Sequence, residues 1–292
     1  MITAEQRKAR KNHLGSSDLG AILGFSRFST PYDVWLEKTG RIPDDPNEVA
    51  TDYQEAGNYL ESSVINWAQS KQHISSVTRD PEIAVPDTPI VVHIDAVECD
   101  SGNPVEVKTE GLFGPIVQLW GDVGSNEVPE YTCIQCQGHM MATDRGLCHV
   151  PAFLGGKGFC YYYVERDEKL VALIKEEALK FWNEYVLKDT PPPDSVPSLS
   201  LIKKIRRVVG EPAELAGDLV QKWIEDKEAA KHWDKAAKES QAAILAAMDG
   251  RQEAVFGDAA QMITNYEQTR KGYEVKPATF RVMRLKKAKA KK

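Results

Sequence analysis

Three residues with chemically reactive side chains lie within one short stretch of the sequence. Asp95 ends an apolar run that begins at Ile90, and a second short run carries Glu106, Val107 and Lys108 after a turn-rich loop. Side chains alternate along a strand, so Glu106 and Lys108 point to one face and Val107 to the other. If the two runs pair as a hairpin-like unit, Asp95 comes near Glu106. Two carboxylates and an ammonium group would then share a small volume.

Such a cluster suits a divalent cation. Two carboxylates at this spacing repel each other unless a cation lies between them, and hard oxygen ligands favour Mg²⁺ or Mn²⁺. The Asp…Glu-x-Lys arrangement resembles the signature of metal-dependent phosphodiester cleavage in the PD-(D/E)xK nucleases. A plainer interpretation stays open, because Glu-Val-Lys is also common on a solvated strand face on which opposite charges pair.

Length and composition indicate a globular chain. It has 292 residues, 42% of them hydrophobic and 27% charged, which suffices for one large domain or for one domain with an extension. No apolar run is long enough to span a bilayer, and the polar, basic N-terminus has no apolar stretch behind it. We therefore expect no membrane partner and a cytoplasmic location, in a bacterium or a phage-infected host cell.

The charge distribution limits how the chain could bind nucleic acid. A formal net charge of −6 excludes a nonspecific polycation, so any such contact must be local. The basic residues do cluster, at 7–11, 203–207 and 281–292. These side chains could rim a groove around a carboxylate-lined metal site, although basic termini can also serve only to solvate the chain ends.

The cysteines give little indication of a metal site. There are five, an odd number in a chain without a secretion signal, which argues against a disulfide framework. Cys133 and Cys136 with His139 have a partial metal-ligand spacing. However, this segment is predicted to be helical, and cysteines spaced this way on a helix commonly serve as small buried apolar groups. We favour that interpretation over a zinc or iron–sulfur site.

Caps and periodicity predict the elements that position these residues. The segment after Gly15 reads as a short helix with Ser16 or Ser17 as its N-cap. The same groups could offer N–H and hydroxyl donors to a phosphate, or they could only cap the helix. Further helices are predicted over 31–40, 52–71, 129–143 and 167–188. Strands are predicted over 147–154 and 159–164.

A proline run at 191–193 predicts a domain boundary. It divides the chain into a first domain of residues 1–190 and a mainly helical extension of residues 191–292. The extension is predicted to contain a long helix over 213–248 with an approximate heptad seam, a short strand pair over 273–285 and a basic tail. The seam could pack on the first domain or on another subunit, and packing on the first domain is the simpler expectation.

The order of these segments resembles that of a known family. The chain is similar to the lambda-exonuclease-like viral recombinases, also called the YqaJ family, within the PD-(D/E)xK superfamily. The matching segments are GSSDLGAILGFSRFSTPYDVWLEKTG, AGNYLE, HIDAVECD, PVEVKT, PEYTCIQCQGHMMATD and VERDEKLVALIKEEALKFW. The resemblance implies an α/β fold, with a restriction-endonuclease-like core in which helices flank a central mixed β-sheet, followed by the mainly helical extension.

The resemblance also implies roles for the reactive residues. Asp95 and Glu106 match the metal-binding carboxylates, and the Val107 carbonyl would complete the ligand set. Lys108 is similar to the lysine that positions or activates the attacking water. The family has an additional metal-site aspartate with no clear counterpart here, so the number of metal ions stays open. The candidates for that ligand are Glu82 and Asp87.

Four more residues take roles from the same resemblance. Glu61, on the predicted helix over 52–71, matches the glutamate that assists the metal and water shell. Gln135 matches the glutamine of the Q-x-Q segment, which supports the water and the lysine. Arg10 and Ser17 fall where the family grips the terminal 5′ phosphate of the digested strand.

The implied activity is that of a Mg²⁺-dependent double-strand DNA exonuclease, in which Mn²⁺ can substitute. It would digest from 5′ to 3′ and leave 3′ single-stranded tails for phage-type homologous recombination. The resemblance further implies a homo-oligomer, a trimer in the best-known member, and a single-strand annealing protein as partner. Two alternatives stay open: a structure-specific or nicking endonuclease on the same core, and a non-catalytic DNA-binding module.

Overall fold

A computed structural model of the protein describes residues 10–43, 51–111, 115–193, 195–203, 214–256 and 261–265. The chain divides into two units, residues 1–207 and residues 208–292. Within the described ranges, no helix combines the length and the apolar character needed to cross a membrane.

A mixed sheet of six strands forms the centre of the first unit. Its order is β1-β4-β5-β7-β6, with β8 on the other side of β7. A separate antiparallel pair is formed by β2 and β3. The strands are β1 (Val77–Arg79), β2 (Glu82–Ala84), β3 (Val91–His93), β4 (Ala96–Glu98), β5 (Pro104–Val105), β6 (Lys108–Glu110), β7 (Leu147–Leu154) and β8 (Gly158–Glu165).

Strands β5 and β6 run consecutively along one edge of β7. Both pair with β7 in parallel, Val105 opposite His149 and Lys108 opposite Ala152. They therefore form one strand that is interrupted at residues 106–107. On the other edge of β7, the long hairpin with β8 is antiparallel. The predicted mixed sheet is confirmed, and so are the two predicted strands of this hairpin.

Helices cover both faces of the sheet. On one face, Cys136 and Met140 pack against the alternate apolar side chains of β7 and β8. On the other face, Ile65 and Ala68 pack against Val105 and its neighbours. The helices of the first unit are α1 (Ser16–Ile22), α2 (Pro31–Lys38), α3 (Asp52–Ser70), α4 (Glu130–Thr143), α5 (Glu168–Phe181) and α6 (Leu199–Ile202).

Two details of the predicted helices differ in the structure. The N-cap of α1 is Gly15, because the Asp18 carboxylate accepts a hydrogen bond from the Gly15 N–H at 2.8 Å and moves the cap one residue earlier. The helix predicted over 167–188 leaves α geometry after Phe181 and continues as a π-helical turn, Trp182–Val186. There the Tyr185 carbonyl accepts a hydrogen bond from the Trp35 indole at 3.2 Å, which is consistent with the altered backbone pattern.

The segment after the proline run belongs to the first unit and packs on the start of α2. Ser195 Oγ accepts a hydrogen bond from the Tyr32 N–H at 3.1 Å, and the Ser198 N–H donates to Asp33 Oδ1 at 2.8 Å. The other oxygen of Asp33 accepts from the Thr30 N–H, which completes the N-terminal cap of α2. Asp33 therefore holds two segments of the chain together from a buried position.

The described part of the second unit, residues 214–256 and 261–265, contains one long helix and one hairpin. Helix α7 (Gly217–Met248) has 32 residues, and β9 (Glu253–Phe256) pairs antiparallel with β10 (Gln261–Thr264). Several side chains of the predicted apolar seam are exposed, among them Leu219, Trp233 and Ile244. The strand pair predicted over 273–285 and the basic tail lie outside the described residues, as do most residues of the other two basic clusters.

Removal of the Asp33 carboxylate should weaken the first unit. Asp33→Ala loses the cap of α2 and the bond to Ser198, and we expect the free energy of unfolding to fall by about 2 kcal/mol. Urea denaturation measures this change. Asp52→Ala, which removes an exposed acid from the first turn of α3, should cost less than about 1 kcal/mol. Equal losses in the two variants would contradict the role given to Asp33.

Candidate active site

Asp95, Glu106 and Lys108 meet where the strand beside β7 is interrupted. The Val107 N–H lies in that break and donates a hydrogen bond to Asp95 Oδ2 at 2.7 Å. Lys108 Nζ donates to Glu106 Oε1 at 2.6 Å. The antiparallel pairing of β4 with β5 places Ala96 opposite Val105, so Asp95 and Glu106 are carried to the same end of the pair. The structure thus brings the three predicted residues together.

The two acids occupy an environment that disfavours their charge. Burial and, next to it, the Glu106 carboxylate raise the pKa of Asp95 to about 7, although the Val107 N–H and Lys108 lower it. Burial also raises the pKa of Glu106, against the attraction of Lys108. For Lys108, burial alone would lower the pKa, but Glu106 and Asp95 raise it overall. Lys108 is therefore a firmly protonated cation between acids.

Gln135 holds the lysine from the opposite side. It projects from α4, and its Oε1 accepts a hydrogen bond from Lys108 Nζ at 2.8 Å. The ammonium group is thus fixed between an acid on the sheet and an amide on a helix. A further contact fixes α4 itself, since Glu110 on β6 accepts hydrogen bonds from the Tyr131 hydroxyl at 2.8 Å and from the Trp120 indole at 2.9 Å.

Glu61 reaches the site from α3 and is ion-paired with Arg79, the last residue of β1. Burial raises the pKa of Glu61, the charge of Asp95 raises it further, and Arg79 lowers it. Strand β1 places Arg79 opposite Ala96, next to Asp95. Sequence reasoning missed Arg79, because a strand of three residues carries no readable periodicity. The signal that could have found Arg79 is its positive charge at the end of an otherwise uncharged stretch of sequence.

Arg10 and Ser17 also meet, at the start of α1. Arg10 Nη2 lies 3.3 Å from Ser17 Oγ, and the Ser17 side chain is exposed. The support beneath them was not predicted. Lys38 Nζ forms an ion pair with Asp18 Oδ2 at 2.6 Å and donates to the Arg10 carbonyl at 2.9 Å. The Lys38 side chain is only 3% exposed, so this ion pair is enclosed and holds the Arg10 backbone in place.

His139 lies fully buried on α4 behind Glu106. Its Nε2 is 3.0 Å from Ser16 Oγ, and its Nδ1 is 3.4 Å from Glu106 Oε2. Burial, followed by the charge of Lys108, lowers the pKa of His139 to about 3. The imidazole is therefore neutral at physiological pH. The sequence singled out His139 only for its spacing to Cys133 and Cys136, and not for these contacts.

The donors at this site fit a hard divalent cation. Among the described residues, no three His, Cys, Asp or Glu side chains converge on one point, so a metal ion would be held by Asp95, Glu106, the Val107 carbonyl and water. Glu106 Oε2 is buried and has no hydrogen-bond partner within that part of the chain. Oxygen donors of this kind suit Mg²⁺ or Mn²⁺.

The two candidates for an additional ligand lie in the β2–β3 pair. Glu82 forms an ion pair with His93 at 2.7 Å, on the partly exposed surface of that pair. Asp87 is exposed in the turn between the two strands, with a left-handed backbone.

A central mixed sheet with helices on both faces, and Asp95, Glu106 and Lys108 at an interrupted strand, defines the PD-(D/E)xK restriction-endonuclease-like class. Within that class, residues 6–146 match the YqaJ-like viral recombinase domain. The chain is thus similar to that family over residues 6–146, and the resemblance seen in the sequence is confirmed.

The chain also has similar proteins in sequence and in fold. A stretch of 190 residues is 26% identical to the protein YqaJ of Bacillus subtilis (strain 168), and it covers 63% of this chain but only 56% of that protein. The crystal structure of LHK-Exo in complex with dAMP is 18% identical, with a TM-score of 0.50, and the match covers 64% of this chain and 94% of that one. A second LHK-Exo structure, of an alkaline exonuclease from Laribacter hongkongensis, is 16% identical over the same shares, with a TM-score of 0.49. The likeness to LHK-Exo establishes the fold.

Asp95→Asn should stabilise the metal-free protein, and increasingly so at higher pH. The Asp95 pKa rises from 3.8 to about 7 on folding, so its contribution to stability is fully present below pH 3.8 and is lost as the pH rises through 7. Asparagine keeps an acceptor for the Val107 N–H but cannot ionise. In EDTA at pH 8.5 we expect a gain of about 1–3 kcal/mol in the free energy of unfolding.

Urea denaturation of both proteins in EDTA, between pH 4 and pH 8.5, measures the effect. Asp52→Asn, at an exposed acid of α3, serves as the matched control and should leave the pH profile unchanged. Parallel profiles for wild type and Asp95→Asn would show that the folded protein does not penalise the Asp95 charge.

Proposed function

We propose that this protein is a Mg²⁺-dependent exonuclease of double-stranded DNA that digests from 5′ to 3′ and leaves 3′ single-stranded tails for phage-type recombination. The observation that carries the proposal is the buried Asp95–Glu106–Lys108 cluster at the strand break. The match of residues 6–146 to the YqaJ-like viral recombinase domain and the fold shared with LHK-Exo support it.

A divalent ion held by Asp95, Glu106 and the Val107 carbonyl would polarise the scissile phosphate and lower the pKa of a bound water. The chain's own residues supply the rest of the chemistry. Lys108 carries a raised pKa, so it acts as a fixed cation that orients water and stabilises negative charge developing on the phosphate, and not as a general base. Gln135 accepts a second hydrogen bond from the same ammonium group, so Lys108 is not bound to Glu106 alone.

Glu61 would assist the water shell of the metal from the helix side. Its ion pair with Arg79 holds the carboxylate near Asp95 although like charges repel. Arg79 therefore offsets part of the negative charge of the site when no metal ion is bound there.

Arg10 and Ser17 would bind the terminal 5′ phosphate of the digested strand. A guanidinium group and an exposed hydroxyl form charge-assisted hydrogen bonds with phosphate oxygens, and the enclosed Lys38–Asp18 pair keeps their backbone fixed. By family resemblance, we extend the proposal to a homo-oligomer, a trimer, and to a single-strand annealing protein as partner.

The deciding experiment digests one linear duplex, labelled separately at each strand end, beside a covalently closed circle of the same sequence, with Mg²⁺ or with EDTA. Loss from the 5′ ends that needs Mg²⁺, with the circle intact, is the expected result. Cutting of the circle would instead favour a structure-specific or nicking endonuclease. Unchanged DNA in every reaction would favour a non-catalytic DNA-binding module.

Loss of the cluster residues should abolish digestion without unfolding the protein. Glu106→Ala and Lys108→Ala each remove a group that acts on the reacting phosphate or its metal, and we expect the rate to fall by about 100-fold or more. Lys180→Ala, at an exposed pair with Glu177 on α5, is the control and should keep the wild-type rate. Full activity in either cluster variant, measured on the same labelled duplex, would refute the site assignment.

Loss of the phosphate-binding residues should change which ends are preferred. Ser17→Ala and Arg10→Gln are expected to reduce the advantage of 5′-phosphorylated over 5′-hydroxyl ends by about tenfold, which corresponds to one or two lost hydrogen bonds. Ser70→Ala, at an exposed serine of α3, should leave the ratio unchanged. Equal slowing on both kinds of end would contradict a phosphate pocket at this position.

A further inference from the structure

A buried row of three side chains connects the first turn of α1 with Glu106, a candidate metal ligand. Ser16, His139 and Glu106 follow one another at 3.0 Å and 3.4 Å, and all three are buried. Ser16 points inward, whereas the next residue, Ser17, is exposed beside Arg10. The row therefore joins the two regions to which the proposed function assigns phosphate binding and metal binding.

When Glu106 is ionised, as a metal ligand must be, one arrangement of the protons in the row is favoured. A neutral imidazole has one donor nitrogen and one acceptor nitrogen. A Glu106 carboxylate can only accept, so the proton lies on Nδ1 and faces Oε2. The other nitrogen, Nε2, then accepts from the Ser16 hydroxyl.

Two buried polar atoms face each other in this row. Within the described residues, His139 Nδ1 and Glu106 Oε2 are both buried and neither makes a hydrogen bond, and the His93 backbone is a further hydrogen-bond partner of the imidazole. The separation of 3.4 Å is at the long end for a hydrogen bond. On the other side of the same carboxylate, Lys108 holds Oε1 at 2.6 Å. Lys108 therefore holds Oε1 of Glu106 directly, and His139 Nδ1 is the nitrogen that faces Oε2.

We propose that His139 is a positioning residue for the metal site: it fixes the Glu106 carboxylate through Nδ1 and is itself oriented by Ser16 at Nε2. The inference rests on the proposed function, since it concerns the metal ligand of that site.

Two amide substitutions separate the two ends of the imidazole. In His139→Asn the amide nitrogen falls near the place of Nδ1, so the donor to Glu106 is kept and the contact with Ser16 is lost. In His139→Gln the amide falls near the place of Nε2, so the contact with Ser16 is kept and the donor to Glu106 is lost. The variants are otherwise similar in polarity.

Calorimetric titration of the full-length protein with Mn²⁺, without DNA, measures the effect apart from catalysis. We expect His139→Gln to weaken Mn²⁺ binding by about tenfold, as for other groups that orient metal ligands, and to raise the Mg²⁺ concentration for half-maximal digestion in parallel. His139→Asn, which loses only the contact with Ser16, should weaken Mn²⁺ binding by about threefold. Thr132→Val, an equally buried site on the same helix, is the control and should leave Mn²⁺ binding unchanged.

Equal Mn²⁺ affinities in His139→Gln and His139→Asn would overturn the inference. If His139→Gln does not fold, as judged by thermal unfolding in EDTA, Ser16→Ala decides the question. A loss of about threefold in Mn²⁺ affinity supports the positioning role, and an unchanged affinity overturns it. Failure of the proposed function is distinguishable, because then the wild type itself would bind no Mn²⁺ or digest no DNA.

Discussion

The break between β5 and β6 is the constraint on which the rest of the first unit depends. If the strand continued without interruption, the Val107 N–H would be free to join a sheet ladder instead of donating to Asp95. With the break, two acids and a lysine share one enclosed volume at the end of a parallel pairing with β7. Parallel strands are buried on both faces, so these charges must be satisfied by one another and by groups on the covering helices. Gln135 and His139, both on α4, meet that demand from one side, and Glu61 approaches from α3.

Such a cluster raises the free energy of the folded state, and contacts of the surrounding residues offset that cost. Charges removed from water lose more in solvation than they regain unless the geometry of their partners is close to ideal, and the raised pKa values of Asp95 and Glu106 express that cost. The compensation lies in the supports. Glu110 binds Tyr131 and Trp120 and fixes α4 against β6. Well-packed apolar side chains of β7 and β8 lie under the same helix. A cation bound by the two acids would relieve the remaining repulsion.

The sequence predicted the parts of this site that lie close together along the chain. Asp95, Glu106 and Lys108 are read from strand alternation and a turn, and the principal helices from caps and apolar periodicity. The family pattern added Glu61, Gln135, Arg10 and Ser17. What it could not predict are partners separated by long stretches of chain: His139 meets Ser16 across 123 positions, and Lys38 meets the Arg10 carbonyl across 28. The predicted N-cap of α1 was wrong for a different reason. Asp18 and the two serines are all residues that can bond to the backbone at a helix start, and the sequence alone does not show that Asp18 binds the Gly15 N–H.

The distance between the proposed phosphate-binding residues, Arg10 and Ser17, and the proposed metal ligand Glu106 bears on the kind of cleavage proposed. Ser17 follows Ser16 directly, and only the imidazole of His139 lies between Ser16 and Glu106. A 5′ phosphate anchored at Arg10 and Ser17 would therefore lie near the metal. In that geometry the phosphodiester bonds within reach belong to the end of the strand, and internal bonds have no equivalent anchor. Since binding energy at the anchor is available only to a strand with a free end, it would favour stepwise removal from that end over internal cutting.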